Sequence, residues 1–553
     1  MTTISTPQEP PVLRVVDLTV RFPDRKGGWT RAVEGVSFDV RPGEILAIVG
    51  ESGSGKSVTA RSLVGLAGAD ASITGKISLG DEELEQLRER EWRTLRGSRI
   101  GFVLQDALTS LDPLRTIGHE IGEAVRVHHR GLSRADVTGR VEGALRDAGI
   151  DDPEQRRRQF SFELSGGLRQ RSLIASAVVN GPDVLIADEP TTALDVTVQR
   201  RILRLLRRLA DEGAAIVFIS HDLAVVSELA DRTVVLRDGS VQEQGATAEL
   251  LRSPRSAYTR ELLAAIPDPS HAQRRREGTA PSESPVAVIR GARVTFHGPK
   301  GSTRAALDDV SMELRAGETL GLVGESGSGK TTLGRVLLGL QRLDSGAVEL
   351  FGRRWDAAPE ASRRRDRHRI QVISQDPSGT FNPLLNVGEL LDQSLRLHSG
   401  LARGARRDRA LELLESVGLG ERHLDVKPRR LSGGQRQRVS IAQALASDPE
   451  VLVCDEPVSA LDVITQAQVL DLLRRVQRDR GLSMLFISHD LAVVESVSHR
   501  TAVMRHGRIV EIADAASIFE RPEHPYTREL LDAIPGGDFA GRRAAEALAG
   551  ASR

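Results

Sequence analysis

The sequence predicts an α/β fold that occurs twice in one chain of 553 residues. A glycine-rich stretch at residues 50–57 follows a short apolar, β-branched segment and leads into a helical pattern. The stretch recurs at residues 324–331 in the same context, which indicates that a whole domain is duplicated. Within each copy, strand-like segments alternate with helical segments, as in a parallel sheet with helices on its faces.

Composition narrows the class of protein. The chain has 76 Lys and Arg residues and 76 Asp and Glu residues, and this balance argues against a nucleic-acid-binding protein, which usually carries a basic excess. No apolar run approaches the roughly 18 residues of a membrane-spanning helix. Residues 1–11 lack the pattern of a secretory signal. We therefore expect a chain that is soluble or reaches a membrane only through partners.

Cysteine usage excludes one group of sites. The sequence contains one cysteine, Cys454. A single cysteine cannot form an internal disulfide bond or a zinc or iron–sulfur site built from cysteines. We therefore expect a protein of a reducing cytoplasm without an iron–sulfur cluster.

The first copy begins with antiparallel strands. After a polar lead-in at residues 1–11, residues 12–40 alternate apolar and polar side chains in short runs. A buried strand at residues 45–49 precedes the glycine-rich stretch, and a later strand ends at Gln105. From about residue 112 to residue 160 the pattern is helical with charged faces.

Three motifs follow in the same copy. A Leu-Ser-Gly-Gly stretch at residues 164–167 opens a helix. An apolar strand ends in the acid pair Asp188 and Glu189, and another strand, at residues 213–219, leads to His221. The second copy repeats these motifs in the same order, and the counterparts are Gln375, residues 431–434, Asp455, Glu456 and His489.

The boundaries of the copies follow from their ends and from composition. Both copies end alike, at residues 258–263 and 526–531, and these stretches contain the chain's two tyrosines. The segment between the copies is rich in Pro, Ser, Arg and Glu without apolar periodicity, which is typical of a linker. We interpret its three consecutive arginines as solvent-exposed charges of a linker and not as a binding patch for phosphate or lipid. The predicted boundaries are 12–267 for the first domain, 268–285 for the linker, 286–535 for the second domain and 536–553 for a flexible tail.

The glycine-rich stretches fit the phosphate-binding pattern G-x-x-x-x-G-K-[ST]. Their glycines allow backbone N–H groups to surround a phosphate, and the following helix N-terminus favours its negative charge. Lys56 and Lys330 would neutralise the β and γ phosphates of a nucleoside triphosphate. The hydroxyls of Ser57 and Thr331 would bind Mg²⁺.

The acid pairs would complete an ATP site. We expect the aspartates to hold Mg²⁺ and the glutamates to polarise the attacking water as general bases. The glutamines are candidate ligands of Mg²⁺ or of the water, and the histidines are candidate contacts to the γ-phosphate. The metal candidates are therefore Ser57, Gln105, Asp188, Thr331, Gln375 and Asp455, and the catalytic candidates are Glu189, Glu456, His221 and His489.

The Leu-Ser-Gly-Gly stretches supply a second kind of anion site. A Gly-Gly pair that opens a helix presents another positively polarised N-terminus. One copy alone offers this N-terminus no second phosphate. Two copies that face each other head to tail would let the stretch of one copy close over the ATP held by the other.

This ordered set of motifs resembles the nucleotide-binding domain of ATP-binding cassette (ABC) proteins, present twice from about residue 12 to residue 535. The resemblance implies two tandem P-loop NTPase (RecA-like) domains, each with an antiparallel β subdomain and a helical subdomain that carries the signature. It implies two composite ATP sites with ATP and Mg²⁺ as cofactors. The nucleotide-binding residues that it implies are Gly50, Glu51, Ser52, Gly53, Ser54, Gly55, Lys56, Ser57, Ser165, Gly166, Gly167, Gly324, Glu325, Ser326, Gly327, Ser328, Gly329, Lys330, Thr331, Ser432, Gly433, Gly434 and Gln435.

Five further residues are interpreted through the same resemblance. Phe22 and Phe296 fall where the family often stacks an aromatic ring on adenine, although an aromatic residue on an edge strand also commonly packs against a core. Asp195 and Asp462 match the loop that crosses the interface between copies. Leu168 departs from the family, which usually has glutamine there. Since serine and backbone N–H groups make the anion contacts, we expect both sites to hydrolyse ATP.

The finer resemblance is to the ATPases of dipeptide and oligopeptide importers in which both ATPase halves are fused. It rests on the glutamine loops at residues 105–113 and 375–383, on the two signature variants, and on C-terminal extensions at residues 258–267 and 524–535. Separate-subunit members often continue into a four-cysteine iron–sulfur segment, which one cysteine cannot build.

The resemblance also implies partners and a location. Two transmembrane permease subunits would hold the chain at the cytoplasmic face of the inner membrane, and an extracytoplasmic solute-binding protein would deliver the solute. A short peptide is the expected solute, with nickel, glutathione or a sugar as alternatives. A soluble tandem ATPase that acts on the ribosome or on nucleic acid is the rival class. The ribosome-acting kind usually carries a long charged helical linker and an LSGGE signature, and the DNA-repair kind needs zinc cysteines or a long coiled coil, and none of these features is in this sequence.

Overall fold

The computed structural model describes residues 9–24, 27–105, 110–191, 194, 196–266, 282–297, 303–398 and 401–534. The chain divides into two compact units, Met1–Ile266 and Pro267–Arg553. Each unit contains a four-stranded antiparallel sheet, a six-stranded mainly parallel sheet and a set of helices. The predicted α/β fold, present twice, is confirmed.

The first unit builds its two sheets from ten strands of the described chain. These are β1 (Leu13–Pro23), β2 (Trp29–Val40), β3 (Ile45–Val49), β4 (Ser72–Leu79), β5 (Glu82–Glu83), β6 (Ile100–Val103), β7 (Val184–Asp188), β8 (Ala215–Ile219), β9 (Arg232–Arg237) and β10 (Ser240–Ala246). The antiparallel sheet has the order β2-β1-β4-β5, and the larger sheet has the order β10-β9-β3-β8-β7-β6. Every residue of β3, β7 and β8 is buried, as expected for parallel strands that helices cover on both faces.

Helices connect these strands and form a separate group between β6 and β7. They are α1 (Lys56–Leu63), α2 (Glu89–Leu95), α3 (Ile117–His128), α4 (Arg134–Asp147), α5 (Pro153–Arg156), α6 (Gly166–Val178), α7 (Val196–Asp211), α8 (Leu223–Leu229), α9 (Thr247–Arg252) and α10 (Ala257–Ala264), with a 3-10 turn at Ser161–Glu163. The helices α3, α4 and α6 pack against one another. They correspond to the helical stretch predicted from about residue 112 to residue 160 and to the helix after the signature.

The second unit repeats the strands. They are β11 (Pro285–His297), β12 (Thr303–Arg315), β13 (Thr319–Val323), β14 (Ser345–Leu350), β15 (Arg353–Arg354), β16 (Ile370–Ile373), β17 (Val451–Asp455), β18 (Ser483–Ile487), β19 (Arg500–Arg505) and β20 (Arg508–Asp514). The sheet orders are β12-β11-β14-β15 and β16-β17-β18-β13-β19-β20, which match the first unit strand for strand.

The helices of the second unit also follow the first. They are α11 (Lys330–Leu337), α12 (Glu360–Asp366), α13 (Pro377–Thr380), α14 (Val387–His398), α15 (Arg403–Ser416), α16 (Gly433–Leu445), α17 (Val463–Arg480), α18 (Leu491–Val497), α19 (Ala515–Glu520) and α20 (Pro525–Asp532), with 3-10 turns at Arg367–Arg369, Glu421–His423 and Pro428–Arg430. Among the described residues, no helix combines the length and the apolar character needed to cross a bilayer.

The predicted linker ends in a strand. Most of the predicted linker and tail, residues 268–281 and 536–553, lies outside the described residues. The strand β11 already begins at Pro285, which composition assigned to the linker. Proline is tolerated as the first residue of a strand, and the buried Ala287, Val288 and Ile289 that follow hold this strand in the sheet.

One continuous core in each unit joins the antiparallel sheet to the parallel sheet. In the first unit it includes Leu13 of β1, Ile48 of β3 and Trp92 of α2. The second unit has an equivalent core, with Trp355 in the part that packs beside the antiparallel sheet. Cys454 of β17 is fully buried, and burial raises the pKa of its thiol to about 12.

Candidate active site

The order of strands in the larger sheet brings the predicted motifs to one edge. The strands β3, β8, β7 and β6 are parallel neighbours, so their carboxyl ends lie side by side. The glycine-rich loop follows β3, Asp188 ends β7, and His221 and Gln105 follow β8 and β6. Ligands of open α/β sheets bind at this edge, outside the carboxyl ends of the strands.

Backbone geometry explains why the phosphate loop begins with glycine. Gly50 has φ 152°, and a Cβ at this position would lie 2.1 Å from the carbonyl oxygen of Leu236 in β9. Gly324 has φ 150°, and its Cβ would lie 2.2 Å from the carbonyl oxygen of Met504. The loop therefore lies directly against the neighbouring strand, where no side chain fits.

The lysines of the two loops bind the backbone of their own loop. Lys56 Nζ donates to the carbonyl oxygens of Gly50 and Glu51, both at 2.7 Å. Lys330 Nζ donates to those of Gly324, at 2.6 Å, and Glu325, at 2.9 Å. Both lysines are buried. Each ammonium group is thus held over the loop that would surround a phosphate.

The expected metal ligands contact one another. Ser57 Oγ donates to Asp188 Oδ1 at 3.1 Å, and Thr331 Oγ1 donates to Asp455 Oδ1 at 3.3 Å. Burial raises the pKa of both aspartates, and the neighbouring glutamate charge adds to this rise. A bound cation would offset that cost, and hydroxyl and carboxylate oxygens are the donors that Mg²⁺ prefers.

These oxygens provide only part of a coordination shell. Within the described ranges, no group of three or more His, Cys, Asp or Glu side chains is placed to hold a metal ion. Mg²⁺ demands near-octahedral oxygen coordination and in such sites takes several ligands from water and substrate phosphates. The donor set therefore fits a metal that arrives with a nucleotide.

The two glutamates have an unusual backbone conformation. Glu189 and Glu456 both have φ 48°, in the left-handed region that non-glycine residues rarely occupy. Each still donates its N–H to the neighbouring strand, to Ile219 at 3.0 Å and to Ile487 at 2.9 Å. Such a conformation costs about 1–3 kcal/mol and is concentrated at functional sites. The left-handed residue interrupts the extended backbone, so the strand ends directly after the aspartate.

Glutamine and histidine meet at the glutamate carboxylate. Gln105 Nε2 donates to Glu189 Oε2 at 2.9 Å, and His221 Nδ1 lies 3.3 Å from the same oxygen. In the second unit the same residue types meet at Glu456, where Gln375 Nε2 donates to Oε2 at 2.9 Å and His489 Nδ1 lies 3.2 Å from the other oxygen, Oε1. The sequence identified all three residue types but not their convergence on one carboxylate, which depends on strand order.

This contact raises the pKa of the histidines. Burial alone would lower the pKa of His221, but the hydrogen bond and charge of Glu189 outweigh it and raise the pKa. The same balance raises the pKa of His489. For Glu456, burial favours a higher pKa, but the hydrogen bond and charge of His489 prevail and lower it. The pair in the second unit is therefore stabilised in its charged form.

The signature serines cap their helices, and the two copies differ in detail. Ser165 Oγ accepts from Leu168 N at 3.4 Å, and Ser432 Oγ accepts from Gln435 N at 3.2 Å. In the second copy the Gln435 side chain also accepts from Ser432 N at 3.0 Å, which completes a capping box. Leu168 has no side-chain acceptor, so the first copy lacks this second bond.

The second glycine of each signature lies against the next long helix. A Cβ on Gly167 would lie 2.8 Å from a methyl group of Val198 in α7. A Cβ on Gly434 would lie 2.2 Å from the Thr465 methyl group in α17. The first glycines, Gly166 and Gly433, have no such neighbour within 3.4 Å. The motif thus needs its second glycine for packing as well as for its N–H.

The remaining predicted residues are less directly involved. Phe22 is half-buried and packs against the core of the first unit, and Phe296 is 47 % exposed. Stacking of either ring on adenine stays a prediction, and the packing of Phe22 agrees with the alternative. Asp195 lies outside the described residues. Asp462 caps α17 by accepting from Thr465 N at 2.9 Å.

Comparison with known proteins identifies the family. The model of the ABC transporter family matches residues 33–192 and again residues 307–459. The chain belongs to the ABC transporter family. As an ABC ATPase it also carries, twice, the oligopeptide/dipeptide transporter C-terminal region, at residues 242–291 and 510–552. These stretches include both predicted extensions, and they run on through the predicted linker and most of the tail.

Curated relatives resemble this ABC ATPase over nearly its whole length. The peptidoglycan transport ATP-binding protein YejF of Agrobacterium fabrum is 44 % identical, with 95 % of this chain and 96 % of that protein covered. The glutathione import ATP-binding protein GsiA of Salmonella typhimurium is 41 % identical, with 95 % and 90 % covered. The oligopeptide transport ATP-binding protein OppD of Mycobacterium tuberculosis is 40 % identical, with 96 % and 100 % covered.

The signature glycines give a first prediction. Gly434→Ala is expected to destabilise the second unit by about 1–3 kcal/mol, because the added methyl group overlaps Thr465. Gly433→Ala, the adjacent control, places its methyl group 3.6 Å from the nearest atom and should have little effect on stability. Thermal unfolding of the two variants measures the difference. Equal melting temperatures would contradict the packing role of Gly434.

The charged pair gives a second prediction. Glu456→Gln is expected to lower the pKa of His489, because it removes the carboxylate that raises it. Since the pKa of His489 is raised on folding, its stabilising contribution is full below the ordinary histidine value of about 6.5. That contribution is lost as the pH rises through the raised pKa.

The contribution of Glu456 has the opposite dependence, because its pKa is lowered on folding. The stabilising contribution of Glu456 is present above the ordinary pKa of glutamate and is lost as the pH falls through the lowered pKa. Histidine-selective NMR titration measures the shift of His489, and His489→Gln identifies the signal. An unchanged titration in Glu456→Gln would contradict the assigned cause.

Proposed function

We propose that this ABC ATPase is the energy-coupling subunit of an importer for short peptides, with an ATP site in each unit. The observation that carries the proposal is the repeated meeting of Gln105, Glu189 and His221, and of their counterparts, beside a phosphate loop. An intact set in each unit is what hydrolysis at two sites requires. The peptide specificity is supported by the C-terminal region and by the relatives.

In each site the glutamate acts on the attacking water. Its carboxylate accepts the water proton, and a positioned general base of this kind contributes about 10²–10⁴-fold to the rate. The glutamine and the raised-pKa histidine hold that carboxylate from two sides. Once the γ-phosphate is in place, the histidine N–H is available to the developing negative charge.

The other residues of the site position and neutralise the phosphates. Lys56, whose Nζ the carbonyl oxygens of Gly50 and Glu51 hold over the loop, would neutralise the β and γ phosphates, and the loop N–H groups would surround them. Ser57 and Asp188 would hold Mg²⁺, which would supply charge neutralisation at the phosphate oxygens. Gln105 contributes to the metal or water only by turning its amide, since its nitrogen donates to Glu189 in the present arrangement.

The signature of each unit offers a further place for an anion. In each unit the signature serine caps the N-terminus of its helix, which leaves a positively polarised helix end for an anion. Leu168 keeps the serine and the N–H groups and loses only the capping bond made by Gln435. We therefore propose that both sites hydrolyse ATP.

Exposed leucines after the glutamine loops support permease subunits as partners. Leu114 is 84 % exposed and Leu384 is 73 % exposed, at equivalent positions. Each follows a turn in which its N–H donates to the side chain of Asp112 or Asn382. A leucine presented in this way on a polar surface suits a small apolar contact with a partner. Docking there would hold the chain at the cytoplasmic face of the inner membrane.

The solute class follows from the relatives and not from the site. The three relatives are named for peptidoglycan, glutathione and oligopeptide transport, and these compounds all contain peptide-like bonds. A di- or oligopeptide delivered by an extracytoplasmic solute-binding protein is therefore the proposed cargo. Nickel and sugars remain the alternatives within the same transporter class.

Hydrolysis is tested at the two glutamates. Glu189→Gln and Glu456→Gln are each expected to lose much of the ATP turnover, because glutamine keeps the shape but cannot accept a proton. At the altered site the rate should fall about 10²–10⁴-fold. Steady-state phosphate release from the full chain measures this, with the exposed Glu228→Gln as control. A full rate in either glutamine variant would show that its site is degenerate.

The permease interface is tested by affinity purification from detergent-solubilised membranes of the native host. Two multi-span membrane proteins are expected to copurify with the wild-type chain. Leu114→Asp combined with Leu384→Asp should lose them, because the substitutions place charge on the apolar contact. Leu340→Asp, at a leucine that is 64 % exposed outside the glutamine loops, is the control. Ribosomal or nucleic-acid partners without membrane proteins would overturn the importer.

A further inference from the structure

The last described helix of each unit has no role in the proposed function. These helices, α10 and α20, lie within the two matches to the oligopeptide/dipeptide C-terminal region. Their second residues are Tyr258 and Tyr526, which are almost completely buried, at 3 % and 1 % exposure. In the sequence these tyrosines mark the repeat and lie in the two C-terminal extensions, and no motif predicts a role for them at an ATP site.

Both tyrosines contact the phosphate loop. The hydroxyl oxygen of Tyr258 accepts a hydrogen bond from Glu51 N at 3.1 Å, and that of Tyr526 accepts one from Glu325 N at 3.3 Å. Glu51 and Glu325 are the second residues of their loops. The bonds join parts of the chain separated by 207 and 201 positions, so the contact depends on the docked helix.

The bonded N–H belongs to the same peptide group that holds the lysine. The peptide between Gly50 and Glu51 offers its carbonyl oxygen to Lys56 Nζ at 2.7 Å and its N–H to Tyr258. A peptide group is planar, so a bond on the N–H side fixes the direction of the carbonyl on the other side. The tyrosine thereby orients the acceptor of the catalytic lysine.

A second set of contacts fixes the tyrosine ring. The guanidinium groups of Arg237 and Arg505 lie over the rings of Tyr258 and Tyr526, 4.6 Å and 4.4 Å from the ring centres. Arg237 follows Leu236, the residue whose carbonyl oxygen lies against Gly50. The end of β9 therefore supports the loop and the tyrosine together, and cation–π contact favours this stacking.

The segment before each helix is anchored as well. The carboxylate of Glu243 in β10 accepts from Arg255 N at 2.9 Å and Ser256 N at 3.0 Å. Glu511 in β20 accepts from Glu523 N at 2.8 Å and His524 N at 3.1 Å. These bonds hold the start of the helix to the sheet, so the hydroxyl stays at a fixed position relative to the loop.

We propose that Tyr258 and Tyr526 are positioning residues of the two phosphate loops, which makes the C-terminal region a structural part of each ATP site. The inference rests on the proposed function, since it takes these loops to bind ATP. Loss of the hydroxyl leaves the Glu51 N–H without its buried acceptor and frees the peptide to turn. The lysine then loses its fixed carbonyl partner, and ATP binds more weakly at that site.

The test measures Mg²⁺–ATP binding to the full chain with one loop disabled at a time. In a Lys330→Ala background only the first loop keeps its lysine, and there Tyr258→Phe should weaken ATP binding roughly 3- to 10-fold. Tyr526→Phe in that background should leave the remaining affinity as it is. In a Lys56→Ala background the expected result is reversed, so that Tyr526→Phe weakens ATP binding and Tyr258→Phe leaves it unchanged. Equilibrium dialysis with radiolabelled ATP provides the constants.

A readout besides binding separates positioning from simple stability. Hydrogen exchange of the peptide that contains residues 50–57 should accelerate in Tyr258→Phe, while the α10 peptide keeps its protection. Unchanged ATP affinity in both backgrounds would overturn the proposal. So would a weaker affinity accompanied by faster exchange throughout α10, because the tyrosine would then only hold the helix. If Lys56→Ala and Lys330→Ala together leave ATP binding intact, the proposed function itself fails, whatever the tyrosines do.

Discussion

Two adjacent carboxylates at the end of a buried strand are the constraint around which each unit is arranged. Asp188 and Glu189, like Asp455 and Glu456, place like charges side by side in a buried position. Burial raises the pKa of both aspartates, and the adjacent glutamate charge adds to the rise. The left-handed backbone at each glutamate follows directly after its aspartate. A hydroxyl then donates to the aspartate, while a histidine and a glutamine donate to the glutamate. The hydroxyl, the histidine and the glutamine each follow a different strand, so these contacts form only when those strands are neighbours in the sheet.

Much of the architecture could be predicted because its causes are local. The runs of β-branched and apolar residues in β3 and β7, and the Gly-Lys step before α1, determine their own conformation. Antiparallel strands from residue 12 to residue 40 were predicted for the same reason and are confirmed as β1 and β2. The duplication supplied a second, independent example of every motif.

The contacts between elements could not be predicted in the same way. The meeting of Gln105 and His221 at Glu189 depends on which strands are neighbours in the sheet. The order of the strands along the chain does not determine which of them are neighbours. The bond from Glu51 N to Tyr258 depends on where a distant helix docks. The start of β11 at Pro285 was missed because proline and serine dominate the composition before it, although the residues after it are buried.

The buried thiol of Cys454 has a practical consequence. It lies in the central sheet of the second unit, and its raised pKa keeps it in the unreactive protonated form. Since the sequence has no other cysteine, a thiol reagent added to the folded chain can label only Cys454, and we expect this labelling to be slow. The rate of labelling then reports how often the second unit opens far enough to expose β17. The native sequence thus contains a probe for the opening of the second unit, and no cysteine has to be introduced to measure it.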